Sequence, residues 1–425
     1  MSSRYKASLG FIFITILVDV IGIGIIIPVL PSLIENLSGE GLSEASRIGG
    51  WLMFSYAIMQ FVFAPVLGEL SDRFGRRPII LIALFGLGID YIFHAFAPTI
   101  AWLFVGRILA GITGASFTVA TAYIADISTP EKKAQNFGLI GAAFGLGFII
   151  GPVIGGIASK WGVQMPFFIA AGLSLLNFLY GLIILPESHK AENRRAFDWK
   201  RANPVGTLLH LRKYPVVISF LIPFFFIYIA AHSVQSTWTF FTMFRFDWNE
   251  TTVGYSLAVV GVLVAAVQGG LVRVIVKKLG EMKTVLAGMI LWTLGLVLFA
   301  FATKGWMMFA FLLPYCLGGI AGPTLQGIIS NQVGPREQGE LQGALTSLIS
   351  LTSIIGPPLM TWVFYNFTRD ENDITFAGAP FMLGAILMAI SIVLVIKPLT
   401  KFVKGVKVEG EANEVNEPGP AKVLH

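Results

Sequence analysis

The chain has few charged residues and almost no cysteine, and each shortage excludes a class of protein. Asp, Glu, Lys and Arg together make up 13% of its 425 residues, well below the roughly 25% found in soluble domains. With 55% hydrophobic residues and a mean hydropathy of +0.76, the chain is expected to be an integral membrane protein. The single cysteine, Cys316, excludes an intramolecular disulfide and a cysteine-based metal cluster.

Sequence patterns that carry enzyme chemistry are missing as well. The chain shows no nucleophile with an adjacent base, no phosphate-binding motif and no cluster of metal ligands, so an enzyme is not expected. The lack of a Gly-x4-Gly-Lys-Ser/Thr loop argues against ATP as the energy source, which leaves the proton gradient. Neither a cofactor nor a bound metal is predicted.

Twelve apolar runs are long enough to cross a membrane as helices, because the hydrocarbon core needs about 20 residues. The chain is therefore predicted to be all-α, with twelve transmembrane spans. Arg4 and Lys6 precede the first run as in a signal peptide, but that run is too long, contains Asp19 and lacks a small-residue cleavage site. The runs cover approximately residues 9–30, 49–67, 79–97, 100–124, 138–158, 166–185, 216–241, 253–276, 284–302, 306–330, 341–364 and 380–396.

The charges in the connecting loops predict the orientation of the chain. One set of loops, together with both termini, carries most of the lysines and arginines, whereas the opposite loops contain few bases and several acids. Because basic loops remain in the cytoplasm, both termini are expected there. The net charge of +6 is explained by these loops beside the lipid bilayer, so a nucleic-acid partner is not expected.

An internal repeat divides the chain into two six-helix halves. Five glycines or prolines recur at one offset of 205 residues, for example Gly75 with Gly280 (280 − 75) and Gly151 with Gly356 (356 − 151). Repeats of this kind rock about a site in the middle of the membrane. We predict an N-terminal half (1–185), a basic cytoplasmic linker (186–215), a C-terminal half (216–396) and a disordered cytoplasmic tail (397–425).

A short charged loop joins spans 2 and 3. It contains two glycines, one acid and three arginines that would be costly to bury in lipid, in the order Gly68-x-x-x-Asp72-Arg73-x-Gly75-Arg76-Arg77. This spacing resembles the loop between helices 2 and 3 of major facilitator superfamily transporters. Asp126 ends span 4 on the same side, so we expect a salt-bridge cluster there that holds one conformational state closed, as a cytoplasmic gate.

Span 5 combines closely spaced glycines with a proline, in the order Gly147-x-x-x-Gly151-Pro152-x-x-Gly155-Gly156. Glycines four residues apart let a neighbouring backbone approach closely, and Pro152 loosens the helix, so the segment is a candidate hinge. Generic packing of small residues is the alternative. The pattern resembles the antiporter signature of the superfamily, which implies exchange in preference to symport.

Three ionisable residues are expected near one depth inside the spans. Asp19 lies about 15 Å into span 1, Asp90 about 18 Å into span 3, and Arg107 about 18 Å from the same face in span 4. A charge at this depth is costly unless it is paired or faces water. We hypothesise that Asp90 and Arg107 compensate each other, while Asp19 faces a central cavity and exchanges protons. A purely structural role is the alternative for each residue.

Neutral polar residues within the spans are weaker candidates. Gln60, Gln268 and Gln326 are expected either to contact a ligand or to tie helices together. His94 lies one helical turn from Asp90 on the same face and could relay protons. Its place near the outer end of span 3 nevertheless favours an interfacial residue.

Three further segments make the resemblance more specific, because they resemble the tetracycline efflux proteins of Gram-negative bacteria. They run from Asp19 to Pro31, from Gly106 to Ala115 and from Gln338 to Gly343. The resemblance extends nearly end to end. It implies an inner-membrane antiporter that exports a tetracycline bound to a divalent cation such as Mg²⁺ in exchange for a proton, and one chain is expected to form the pathway.

The resemblance assigns functional roles, by position, to Asp19, Gln60, Asp72, Arg76, Asp90, Arg107, Asp126 and Gln268. The chain departs from the family in span 9, where Trp292 replaces an aspartate that the tetracycline exporters need for coupling, and in span 8, where Val264 replaces a histidine. The missing carboxylate weakens the case for a metal chelate, and Trp292 could offer a flat apolar or cation-binding face. Export of another drug or metabolite, a nutrient or lipid carrier, and a non-transporting receptor or scaffold therefore stay open.

Overall fold

A computed structural model describes residues 3–114, 116–189, 191–197, 199, 215–332, 338–371 and 375–415 of the chain. Within these residues the fold is helical and without strands, and twelve helical spans are long and apolar enough to cross a membrane. The predicted all-α membrane class and the number of spans are thus confirmed. Parts of the predicted linker and tail, at positions 190, 198, 200–214 and 416–425, lie outside the described residues.

The N-terminal half contains spans 1 to 6 and a short helix, Leu30–Ser38, between spans 1 and 2. The short helix and spans 5 and 6 each have a proline at their start. The fixed φ angle of proline suits the first turn of a helix. The six spans are Ser3–Ile26, Leu42–Phe74, Arg76–Ala95, Ile100–Thr113 continued by Ser116–Ile127, Pro130–Ala158 and Met165–Ile184.

The C-terminal half repeats this plan with spans 7 to 12. Span 8 begins at an N-cap in which the Asn249 side chain accepts a hydrogen bond from the backbone N–H of Thr252 at 2.9 Å. The spans are Pro215–Phe246, Glu250–Ala266 continued through Val267–Leu271 and Val272–Leu279, Glu281–Ala300, Gly305–Gly318 continued by Ala321–Ser330, Gln338–Thr368 and Ala379–Val415. The last helix therefore runs beyond the apolar segment that ends near residue 396.

The backbone confirms the internal repeat at two kinds of position. Gly75 (φ 104°) and Gly280 (φ 76°) each join two spans in a conformation that favours glycine, and they are the same pair that the 205-residue offset relates. Spans 4 and 10 both break in the middle, at Gly114 and Gly319, which are also 205 residues apart (319 − 114). Both segments are continuous apolar runs in the sequence, so these breaks were not predicted.

Three hydrophobic clusters show where the two halves meet. We call the membrane side that carries the termini the terminal side, and the opposite side the far side. One cluster lies toward the far side and combines residues of both halves, such as Leu52 and Phe364. Toward the terminal side each half has its own cluster, around Tyr123 in the N-terminal half and around Leu325 in the C-terminal half.

Close helix contacts join the halves on the far side. Span 5 packs on span 8, where a Cβ atom added to Gly156 would lie 2.5 Å from the Glu250 carbonyl oxygen. Span 2 packs on span 11 in the equivalent way, because an added Cβ at Gly50 would meet the Thr361 side chain. Added Cβ atoms at Gly141 in span 5 and Gly270 in span 8, nearer the terminal side, would meet nothing within 4 Å. The molecule is closed on the far side and opens toward the terminal side.

Candidate functional site

The centre of the N-terminal half contains a buried ion pair. Arg107 of span 4 contacts the Asp90 carboxylate of span 3 through its Nη2 atom, and the side chains are 18% and 0% exposed. This is the pairing expected from their common depth in the membrane. Because each charge compensates the other, the pair can persist in an apolar bundle. Its role in transport stays a prediction.

His94 is the third member of this cluster. Its Nδ1 atom lies 2.9 Å from the Asp90 carbonyl oxygen and 3.1 Å from the Asp90 Oδ1 atom, and its ring stacks on Phe167 of span 6 at a centroid distance of 5.6 Å. The residue is only 1% exposed. The interfacial position favoured by the sequence is therefore wrong, because spans 4 and 6 cover this end of span 3.

A glycine in span 4 makes room for the cluster. A Cβ atom added to Gly106 would lie 2.7 Å from Asp90 Oδ1 and 3.0 Å from His94 Nδ1, closer than such atoms can approach. The lack of a side chain at Gly106 thus lets both polar groups pack directly against span 4 while its neighbour Arg107 reaches the other carboxylate oxygen. Asp90 is consequently held between a guanidinium group and an imidazole ring.

Two tyrosines connect this cluster to spans 1 and 2. The Tyr91 hydroxyl lies over span 1, 2.7 Å from where a Cβ atom at Gly22 would be, and Tyr91 interacts electrostatically with Asp90, Arg107 and Asp19. Arg107 lies 5.8 Å above the ring of Tyr56 in span 2. Asp19 is 7% exposed, so it is covered in this state, and its proton exchange stays a prediction.

Gln60 ties span 2 to the break in span 4. Its Nε2 atom donates to the Tyr56 hydroxyl at 3.1 Å and to the Gly114 carbonyl at 3.2 Å. That carbonyl lies at the helix break, where the regular helical hydrogen bonds are interrupted. The structure therefore shows a helix-tying role for Gln60, one of the two alternatives expected from the sequence.

The candidates of the C-terminal half lie at three separate places. Gln326 donates to Gln342 Oε1 at 3.1 Å and so joins spans 10 and 11. Trp292 is partly buried and meets the Tyr315 ring edge-on at 5.9 Å, between spans 9 and 10. Gln268 is exposed on the π-helical turn Val267–Leu271 of span 8, and turns of this type are frequent at functional sites.

The charged cluster on the terminal side is present and centres on Arg76. Its guanidinium lies 2.6 Å from Asp72 and 3.2 Å from Asp126, as the sequence predicts. The other two arginines of the loop are placed differently: Arg73 lies over the Phe74 ring at 5.0 Å, and Arg77 donates to the Leu182 carbonyl at 2.7 Å. Gly68 faces open space.

Glu187, which was not predicted from the sequence, completes this charged cluster. Its carboxylate accepts hydrogen bonds from the backbone N–H groups of Arg76 at 2.8 Å and Arg77 at 3.2 Å, so it caps the start of span 3. The carboxylate occupies the space that a side chain at Gly75 would need. All described contacts of the cluster lie within the N-terminal half and the first residues of the linker, so in this state the cluster braces that half.

The glycines of span 5 serve two interfaces. Three of them pack on span 1, because added Cβ atoms at Gly147, Gly151 and Gly155 would each meet its backbone or side chains within 3 Å. The ring of Pro152 reaches Gly24 of the same span. Gly156, by contrast, faces span 8 of the other half. The segment therefore combines packing within one half with a contact between the halves, and its movement as a hinge stays a prediction.

Sequence signals for the missed residues were present but weak. Tyr91 directly follows Asp90, and Tyr56 lies one helical turn before Gln60, so their faces could have been inferred from spacing. Glu187 offered no such signal, because its partners are 110 or more residues away in the sequence.

Comparisons with known proteins identify relatives of the chain. A profile described as Major Facilitator Superfamily matches residues 12–357 and, in a second match, residues 271–422. The tetracycline resistance protein of class C from Escherichia coli is 43% identical, over 88% of this chain and 92% of its own length. The class B protein from Escherichia coli is 37% identical, over 93% of this chain and 97% of its own length.

More distant proteins are similar in sequence or in fold. Multidrug resistance protein 2 of Bacillus subtilis (strain 168) is 29% identical over 81% of this chain and 85% of its own length. The crystal structure of the human organic anion transporter MFSD10 (TETRAN) superposes with a TM-score of 0.69 at 22% identity, over 93% of this chain and all of that one. The nucleoside transporter NupG gives a TM-score of 0.74 at 15% identity, over 92% and 99% of the chains.

Proposed function

The chain belongs to the major facilitator superfamily and, within it, to the tetracycline resistance proteins, and we propose that it exports a tetracycline-like drug in exchange for protons. Identities of 36% to 43% over most of the chain support a drug efflux transporter. Members of this superfamily are transporters, and the twelve-span fold is theirs. Proton coupling is consistent with the family.

The observation that carries the proposal is the buried cluster of Asp90, Arg107 and His94 in the middle of the N-terminal half. Ionisable groups at this depth are rare and mark substrate or proton pathways. Asp19, on the neighbouring span, interacts with the same tyrosine as Asp90 and Arg107. We propose that protonation of these two acids drives the exchange, with Asp19 as the acid that exchanges protons with the pathway.

The distribution of loop charges supports an orientation with both termini in the cytoplasm of a bacterial inner membrane. The opening toward the terminal side would then be the inward-facing state, ready to take up drug from the cytoplasm or the inner leaflet. Alternating access requires the contacts of Gly156 and Gly50 on the far side to separate while the terminal side closes. We propose that the Arg76 cluster moves with the N-terminal half and helps to close the terminal side in the opposite state.

Trp292 favours a second candidate, the export of a drug other than a metal chelate. It fills the space between spans 9 and 10 with an indole ring that contacts Tyr315, where the family resemblance leads one to expect a carboxylate. An aromatic pair binds flat apolar or cationic molecules better than it binds a hydrated Mg²⁺ complex. A cationic or uncharged drug is therefore the alternative substrate.

Tetracycline-dependent proton movement in inverted vesicles tests the proposal. We expect added tetracycline to release stored protons from vesicles that contain the protein, and Asp19→Asn to abolish this release. Measurements with and without Mg²⁺ separate the chelate from the free drug. No response from folded wild-type protein would reject tetracycline, and full coupling in Asp19→Asn would reject the role of Asp19.

The matched control is Asp370→Asn, which makes the same chemical change at an exposed residue on the far side. We expect this variant to couple like the wild type. If it lost coupling to the same degree, the effect of Asp19→Asn would reflect surface charge and not a proton site.

A further inference from the structure

His94 belongs to the buried cluster, but the proposed exchange assigns it no step of its own. It lies four residues beyond Asp90 on span 3, which places it about 6 Å nearer the far side. The residue is 1% exposed, and a histidine so deep in a membrane bundle is costly unless its polar atoms are used. Its position lies between Asp90 and the side from which protons would enter.

The contacts of the imidazole are asymmetric. Nδ1 faces Asp90, 2.9 Å from its carbonyl oxygen and 3.1 Å from Oδ1. Nε2 is buried as well, yet among the described residues no group hydrogen-bonds to it. The Phe167 ring stacks on the imidazole and keeps it in this orientation. Nδ1 is thus hydrogen-bonded to the Asp90 carbonyl oxygen and lies within reach of Oδ1, which has no hydrogen bond of its own among the described residues, while Nε2 is available for a proton.

The titratable groups around His94 come from two spans. Span 3 contributes Asp90 and Tyr91, and span 4 contributes Arg107, which binds the other oxygen of the same carboxylate. Span 6 contributes Phe167, which does not titrate. Tyr91 itself interacts with Asp19 of span 1 and Tyr56 of span 2.

We propose, on the basis of the proposed proton exchange, that His94 is a proton-carrying residue that passes protons from the far side to Asp90. A proton that arrives at Nε2 converts the ring to imidazolium. The N–H bond at Nδ1 then breaks and an O–H bond forms at Asp90 Oδ1, which leaves a neutral imidazole and a neutral carboxyl group. The sum of the charges on His94, Asp90 and Arg107 is +1 before and after this step.

This transfer has a consequence for Arg107. Once Asp90 is neutral, the guanidinium loses its counter-charge while it stays at the same depth. It is then able to attract an anionic oxygen of a drug, or to leave the pair when the halves move. His94 would therefore link proton entry to the release of Arg107.

The first test uses no drug, so its result does not depend on which substrate the protein transports. The chain contains five histidines, so ¹⁵N-histidine NMR of the full chain in nanodiscs can resolve them, and His94→Asn assigns the signal. We expect the His94 signals to show that the ring gains and loses a proton when the pH is changed, and this response to differ in Asp90→Asn. A ring that stays neutral with one unchanged signal as the pH is changed would overturn the proposal.

The second test separates proton transfer from drug movement. His94→Asn keeps an N–H donor near the position of Nδ1 but cannot titrate. In vesicles we expect pH-gradient-driven accumulation of tetracycline to fall by about 100-fold, the lower end of what a positioned proton donor contributes, and to lose its pH dependence. Counterflow of tetracycline without a proton gradient should remain within about twofold of the wild type, because drug exchange needs no net proton transfer.

The matched control is His232→Asn, the same change at a buried histidine in the C-terminal half that packs against Gly356. It should leave both the accumulation and its pH profile unchanged. Loss of counterflow in both His94→Asn and His94→Gln would show a structural role and overturn the proposal, as would unchanged accumulation in His94→Asn. A wild-type protein that neither accumulates nor exchanges tetracycline would reject the proposed substrate, while the NMR titration would still decide the role of His94.

Discussion

At the scale of single residues, the central acid of the N-terminal half combines complete burial with two nitrogen partners. Asp90 is fully buried between Arg107 and His94. If the Asp90 carboxylate takes a proton from His94, it becomes neutral. Arg107 then has no counter-charge. We therefore expect the protonation of Asp90 to be coupled to the position of Arg107, as the proposed exchange requires.

A second acid with an unusual environment lies on the far side, outside the spans. Glu35 belongs to the short helix between spans 1 and 2, and Glu250 begins span 8 in the other half. Ser32 of the same short helix donates to Glu250 Oε1 at 2.5 Å. Burial, and to a smaller extent the charge of Glu250, raise the pKa of Glu35 above its ordinary value of 4.5.

The raised pKa predicts that acid favours closure of the far side. Below pH 4.5 Glu35 is neutral whether the halves are together or apart, so it does not oppose closure. As the pH rises through that value, Glu35 ionises first in the open state, and the closed state loses stability until the pH passes the raised pKa. Spin-label distances across the far side should therefore increase with pH in the wild type.

Glu35→Gln should remove this contribution, because a neutral amide does not titrate. We expect its far-side distances to vary less with pH than those of the wild type. Glu40→Gln is the control, since Glu40 is exposed beyond the end of the same short helix. Equal pH dependence in Glu35→Gln and the wild type would contradict the prediction.

At the scale of helices, the start of span 3 depends on a residue from the linker. Glu187 accepts two backbone N–H groups at this helix end, and such caps contribute roughly 1 kcal/mol or more. We expect Glu187→Ala to lower the free energy of unfolding in mixed detergent micelles by roughly 1–2 kcal/mol. Glu192→Ala, at an exposed position of the same segment, should change it little. Equal values for the two variants would show that the cap contributes nothing.

The packing of span 5 on span 8 leads to a prediction about the conformational equilibrium. A side chain at Gly156 would overlap the backbone of Glu250, with Cβ 2.5 Å from its carbonyl oxygen. We expect Gly156→Val to disfavour the closed far side and so to shorten spin-label distances across the terminal side, for example between positions 137 and 279. The expected shift is large, because backbone atoms cannot move aside as a flexible side chain can.

Gly141→Val provides the matched control in the same helix, because an added Cβ there would meet nothing within 4 Å. Its terminal-side distances should equal those of the wild type. If Gly156→Val kept the wild-type distances, the contact between spans 5 and 8 would not set the equilibrium between the two states.

The elements show which features follow from sequence and which do not. Hydrophobic length predicted all twelve spans, and the repeated Gly75 and Gly280 indicated equivalent turns. The breaks in spans 4 and 10 were not predicted, since both segments read as continuous apolar runs. The burial of His94 was also missed, because distance along one helix says nothing about the neighbouring helices that cover its end.

At the scale of the whole molecule, the repeat predicted two halves but not their relative position. The same sequence must populate at least two arrangements during alternating access, so no local pattern specifies one of them. The three hydrophobic clusters provide the missing information: one is shared between the halves and two are separate. We therefore expect each half to move as a unit about the shared cluster, whose far-side contacts separate during transport.

A cross-link across the far side tests this motion directly. Ser43 of span 2 donates to Thr368 Oγ1 of span 11 at 2.8 Å, so cysteines at these positions lie close enough for oxidation to join them. The native Cys316 is 2% exposed and is not expected to compete. We predict that oxidised Ser43→Cys/Thr368→Cys loses drug exchange and that a reductant restores it, because the bond holds the far side closed.

The control must contain a similar cross-link that leaves the halves free. The Asn136 Nδ2 atom donates to Ser128 Oγ at 2.8 Å, and both residues belong to the N-terminal half. Ser128→Cys/Asn136→Cys should therefore exchange drug in the oxidised form. The single-cysteine variants should be unaffected by oxidant. If the far-side cross-link formed fully and transport continued, the contact between spans 2 and 11 would not need to open, and the rocking of the two halves about the shared cluster would be wrong. A disulfide is covalent and does not open during transport. Continued transport would therefore show that spans 2 and 11 stay in contact throughout.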